Sequence, residues 1–164
     1  MTISLMKLPV RFRRVKLAKD VIKHLQGKDK IITAVRDSYF DLRCEQEYDW
    51  SYSSQVNEVV SNIGCGVCAI GALFIADVMI RDRATVYDAY GVDTMKRRLS
   101  KHFGVEALEL IETAFEMTPA PSCTIDNGER IDKAIRFGKR FKSDKRRMIA
   151  IMNNIIDNDG DFIP

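Results

Sequence analysis

The chain has 164 residues, 46% of them hydrophobic and 30% charged, which fits one globular domain with a core of ordinary size and leaves little room for two. The longest apolar run, Cys65 to Ile80, is 16 residues long and carries Asp77, so a membrane span is not expected. The net charge of +3 conceals a partition: residues 1–30 carry +7, 31–127 carry −7, 128–147 carry +6 and 148–164 carry −3. Such blocks mean either a basic face for an anionic partner or basic ends folded onto an acidic middle, and the pattern alone leaves both open.

The opening segment, "MTISLMKLPVRFRRVK", puts apolar residues ahead of positive ones and shows no small-residue cleavage site, the reverse of a secretory signal. A cytosolic setting is expected, with the four cysteines as free thiols rather than a disulfide framework.

In chain order, Val15, Ala18, Val21, Ile22 and Leu25 lay an apolar stripe along a helix from about 14 to 26, with Gly27 placed to end it. "KIITAVR", 30–36, is short and β-branched and reads as a small strand or extended leg. The stretch 37–54 is polar and aromatic without a clean period and reads as a loop. Val56, Val59, Val60 and Ile63 then predict a helix ending near Gly64. The segment from about 65 to 80 is apolar on nearly every side, as expected of a central helix surrounded by others. Residues 93–103 predict a helix with Asp93 as N-cap and Gly104 as stop, and 105–117 another that Pro119 and Pro121 prevent from continuing. Ile131, Ala134, Ile135 and Gly138 form a narrow apolar face on a helix over 128–141. The last helix has Ser143 as N-cap and Met148, Ile151, Met152, Ile155 and Ile156 as its stripe. The expected fold is a mainly α, compact multi-helix single domain over 1–164, with a central helix near 65–80 and at most a small β element near 30–36.

"GCGVCAIGALF", 64–74, carries the most reactive residue types. A thioredoxin-type centre needs its first cysteine at a helix N-terminus and a strand leading into that helix. Cys65 fits the first condition, but the residues before it have a helical period. A structural zinc site needs four ligands, and beyond Cys65 and Cys68 the candidates Cys44, Cys123, His24 and His102 are scattered singly. The favoured reading is packing: Cys65, Cys68, Ala69, Gly71, Ala72 and Ala76 are small and allow neighbouring helices to approach closely. No cofactor or metal is expected; if that is wrong, Cys65 and Cys68 are the ligands or nucleophiles of a thiol or zinc-dependent enzyme.

"DNDGDF", 157–162, misses the calcium-loop spacing, and its aspartates beside a helix C-terminus should seek Arg or Lys of the chain itself. Both histidines are expected at the surface, without an acid or nucleophile beside them. There is no nucleophile elbow, phosphate-cradling glycine loop or metalloprotease His-Glu pattern, so the chain does not read as an enzyme. The basic run 133–147 interleaves Phe137 and Phe141 with cations, a mixture suited to phosphate contact and base stacking, or to two phenylalanines pinning a helix whose charges stay solvated.

With "CGVCAIGALF", "ELIETAFE" and "RRMIAIMNNIIDNDGDFIP" in that order, and "AKDVIKHL" before them, the chain resembles a group of small, uncharacterised proteins of tailed bacteriophages. That group shows a C-x-V-C-A-x-G-A-L-F helix, an I-E-x-A-F-E helix and a terminal R-M-x-x-I-M-x-N-I-I-x-N-x-G-x-F-x-P segment. This chain departs from it at Asp159 and Asp161, where less acid is expected. The resemblance implies a phage origin and action in the host cytoplasm, and it carries over no catalytic residue.

The expected function is that of a phage accessory protein acting by stoichiometric binding, inhibiting a host or anti-phage defence protein. Its expected contact residues are Arg136, Lys139, Arg140, Arg146 and Arg147, or the aromatic loop of Tyr48, Trp50 and Tyr52. The alternative is a binder of a nucleotide signal or nucleic acid through the basic segments.

Overall fold

A computed structural model describes residues 5–28, 30–42, 48–81, 84–121 and 123–164. After a single 3-10 turn at Leu5–Lys7 come α1 (Val10–Gln26), β1 (Ile32–Ala34), α2 (Val56–Ile63), β2 (Cys65–Val67), α3 (Ala69–Arg81), α4 (Val86–Tyr90), α5 (Val92–Leu99), α6 (Val105–Glu116), α7 (Gly128–Lys139) and α8 (Asp144–Asp157). The fold is mainly α, and a pair of three-residue strands is the only sheet among the described residues.

α3 is the central element. Every residue from Ala69 to Val78 is buried, and the helix packs against α1, α2, α5 and α6. It starts later than the apolar pattern predicts, because Cys65–Val67 is a strand. That strand runs parallel to β1, with Ile32 opposite Cys65, Thr33 opposite Gly66 and Ala34 opposite Val67. Its other edge is covered as well: the Asp41 and Gly66 backbones exchange hydrogen bonds of 2.9 and 2.7 Å, and the Cys68 amide donates to the Ser38 carbonyl at 2.6 Å. With both faces and both edges covered, the strand shows no alternation to read.

Small residues do allow close approach. A Cβ at Gly71 would overlap the Tyr39 carbonyl oxygen, and one at Gly138 would overlap that of Ala114, where α7 crosses α6. α1 begins a turn earlier than predicted, after Pro9, and buries Leu17, Ala18, Val21 and Leu25, with Val15 and Ile22 only half-buried. α5 is entered from Gly91, with Asp93 in its first turn, and ends at Leu99, before the predicted stop. α7 is capped by Asn127 and buries Ala134, Phe137 and Gly138.

The Ser143 hydroxyl caps α8 as predicted, accepting from the Arg146 amide at 3.3 Å. At its other end the Gly160 amide donates to the Ile155 carbonyl at 2.8 Å with Asp159 in the left-handed region, a Schellman-type stop. Asp161 then pairs with Arg14 of α1, whose Nε also donates to the His102 carbonyl at 2.6 Å. Buried residues from all eight helices described here join one continuous core.

Candidate functional site

The cysteine pair lies inside the molecule. Cys65 is 4% exposed and Cys68 2%. A helical segment, α2, does precede Cys65, but Cys65 itself lies in β2 rather than at a helix N-terminus, and that strand leads directly into α3. Burial, reinforced by the Asp41 charge, holds the Cys65 thiol far above its ordinary value. Burial pushes Cys68 up to about 12, although backbone amides of Gly71 and Ile70 pull the other way. Both are therefore protonated at neutral pH, the opposite of an activated nucleophile. Among the described residues no three His, Cys, Asp or Glu side chains converge as a metal site, and no helix is long and apolar enough to cross a membrane. Cys44 lies outside the described residues.

His102 corrects a second expectation. It is 1% exposed rather than at the surface, and its Nε2 lies 3.1 Å from Oδ1 of the fully buried Asp77. Arg98 Nε donates to the other oxygen of Asp77 at 2.5 Å. The cluster ties α3 to α5 and the turn after it, with both His102 and Asp77 sealed from solvent. His24 is half-buried near the end of α1.

The basic contact residues divide. Arg136, Lys139, Arg140 and Arg146 are exposed around the α7–α8 turn, and none has a carboxylate within ion-pair distance among the described residues. Arg147 is instead 2% exposed and works inside the chain: it donates to the Gly138 and Phe141 carbonyls at 3.0 and 2.8 Å and to Asp144 at 2.8 Å, satisfying the end of α7. Phe137 is buried against Phe141 and Phe162, with ring centroids 5.6 and 5.4 Å away. The two phenylalanines thus pin the helix rather than stand free for base stacking. Elsewhere basic residues do fold onto acids, as in Arg36–Asp144 and Arg130–Glu106.

The aromatic loop is joined by residues that sequence reasoning missed. Residues 52–56 run beside 84–87: the Val56 amide donates to the Ala84 carbonyl at 2.8 Å, Val86 to Ser54 at 2.9 Å and Tyr87 to Tyr52 at 2.9 Å. The Thr85–Asp88 capping box fixes the start of α4. This ladder sets Tyr52, Tyr87 and Tyr90 on one surface at 62%, 73% and 46% exposure. The rings of Tyr52 and Tyr90 connect edge to face, Trp50 to Tyr52 at 6.0 Å, Tyr52 to Tyr90 at 5.9 Å and Tyr90 to the buried Phe40 at 5.2 Å, while Tyr87 joins through its backbone amide. Tyr48 is half-buried, and its hydroxyl accepts from Asn62 at 3.2 Å. The two segments that build the platform, 48–55 and 84–91, contain Asp49 and Asp88 and no Lys or Arg. The signal for the missed half was the T-x-x-D spacing at Thr85–Asp88, too short to carry a helical period.

Comparison with known proteins finds no family model, no curated protein and no solved structure that matches this chain. The functional argument therefore rests on the surfaces themselves.

Proposed function

We propose that the chain acts by stoichiometric binding of a protein partner through the aromatic platform, without catalysis of its own. The observation that carries this reading is the exposure of Tyr52, Tyr87 and Tyr90 on a backbone ladder anchored to the core by Phe40. Exposed tyrosine costs little entropy to dock when it is already held in place, and Tyr and Trp dominate the energetics of protein interfaces. Asp88 is taken up by the capping box, so Asp49 is the exposed charge of these two segments, and with no Lys or Arg in them the platform suits a partner with a basic surface. The resemblance to tailed-phage proteins extends the proposal: the partner is a host or anti-phage defence factor, bound and inhibited in the host cytoplasm. Capture from host lysate with wild-type and Tyr52→Ala/Tyr87→Ala baits tests it. A partner retained by the wild type and lost by the variant is expected, whereas equal retention removes the platform from the account.

A second reading is favoured by the exposed cations Arg136, Lys139, Arg140 and Arg146, which have no carboxylate within ion-pair distance among the described residues and suit a polyanion such as nucleic acid. It requires binding that weakens steeply with salt, measured against a short oligonucleotide.

A further inference from the structure

The end of α1, the turn after it, α2 and α3 form a half-open cavity of about 420 Å³, whose lining includes Lys23, His24, Lys28, Ile31, Ser61 and Met79. Its size falls within the range of small-molecule sites. Its wall has two characters. Ile31 and Met79, buried and half-buried, give an apolar floor, while Lys23, Lys28 and the half-buried His24 give a basic rim. No carboxylate lines it among the described residues, and neither lysine has one within ion-pair distance there.

Two local features hold the rim in place. A Cβ at Gly27 would meet the Lys23 carbonyl oxygen at 2.6 Å, so the turn closes tightly against the helix end. The Ile31 amide then donates back to the His24 carbonyl at 3.2 Å, which ties the chain after the turn to the end of α1. The carbonyl end of a helix carries roughly half a negative charge, which two ammonium groups outweigh. Asp20, one turn before His24, is already occupied by Lys16 at 3.1 Å.

We infer that this cavity binds a small organic phosphate, with the phosphate among Lys23, Lys28 and His24 and the organic part on Ile31 and Met79. The site shares no residue with the aromatic platform or the α7–α8 turn, so it stands or falls independently of the partner-binding reading.

The chain has two histidines, which makes the readout direct. His24 lines the cavity, while His102, sealed against Asp77, serves as an internal reference. Imidazole resonances are followed by NMR during titration with adenosine monophosphate, inorganic phosphate and adenosine. Both phosphates should shift His24 saturably and leave His102 in place, the nucleotide binding more tightly than phosphate, and adenosine alone should do neither.

Burial holds the His24 pKa below its ordinary value, Asp20 pulls it up and Lys23 pulls it down. Among the described residues Lys28 is the other cation on the rim, and Ile31, Ser61 and Met79, from the elements packed across the cavity, bring no charge. A bound phosphate should therefore raise the His24 pKa. The Lys23→Gln/Lys28→Gln variant, whose changes are both on exposed side chains, should weaken binding by roughly tenfold or more. A His24 signal unmoved by millimolar nucleotide, or equal affinity in the double variant, overturns the inference.

Discussion

The Cys65–Cys68 segment and the Tyr52–Tyr87–Tyr90 surface treat their side chains in opposite ways. The first takes the most reactive residue types in the chain and seals them between a strand and a helix, where burial suppresses their ionisation. The second takes unreactive aromatic rings and holds them out in solvent on a hydrogen-bonded ladder. Residue type admits a catalyst at the first, although packing is the favoured reading there, and marks Tyr52 as a contact residue together with Tyr48 and Trp50 at the second. Position separates the two: the thiols are out of reach and pack, while Tyr52, Tyr87 and Tyr90 lie on the surface where the proposed partner docks.

The largest expected effect lies on the buried side. A thiol held near 12 has roughly a thousandfold less thiolate at neutral pH than an ordinary one, so Cys68 should react with a disulfide reagent at least that much more slowly in the native state. Cys65 should be slower still, and denaturation should release both. Fast native modification of either would break the contrast.

Next comes Asp77→Ala, which leaves Arg98 and His102 without their buried carboxylate and should cost roughly 3–5 kcal/mol in urea unfolding. The pH dependence of stability follows. Glu112 of α6 is buried, accepts a hydrogen bond from the Tyr39 hydroxyl and lies 2.7 Å from Lys96, yet burial and the Glu116 charge push its pKa up to about 7. Glu116 is raised as well, chiefly by burial. The folded state then holds protons that the unfolded chain releases near 4.5, so stability should fall as pH rises from about 4.5 to about 7 and level off above, by roughly 1–3 kcal/mol. Glu112→Gln should remove most of that fall in unfolding measured at pH 5 and pH 8.

The smallest effect on stability belongs to the platform. Tyr52→Ala and Tyr87→Ala should each shift it by no more than about 0.5 kcal/mol, because both rings are mostly in water already. A larger loss would mean that the platform serves the fold rather than a partner.

Where sequence reasoning succeeded, a period and a stop signal coincided. α2 has its valine spacing and Gly64 at positive φ, and α8 has the Ser143 cap and the Met148–Ile155 stripe. Where it failed, the controlling contact was distant or the element too short. β2 is three residues buried on both faces, so its apolar run merged into the following helix. α4 has five residues, and its pairing with the Tyr52 loop spans some thirty positions, so Tyr87 and Tyr90 carried no local mark. His102 sits among basic residues that suggest a surface, while Asp77, 25 positions earlier, draws it inside. Arg147 looks like its exposed neighbours Arg146 and Lys145, yet the carbonyls left by the end of α7 turn it inward.

The most direct measurement is a calorimetric titration of the captured partner, once purified, into the wild-type chain and into Tyr52→Ala/Tyr87→Ala. The account predicts saturable binding at a fixed stoichiometry, weakened by roughly a hundredfold in the double variant, in line with the loss of two interface anchors. Equal affinity for both chains, with both folded, would contradict it.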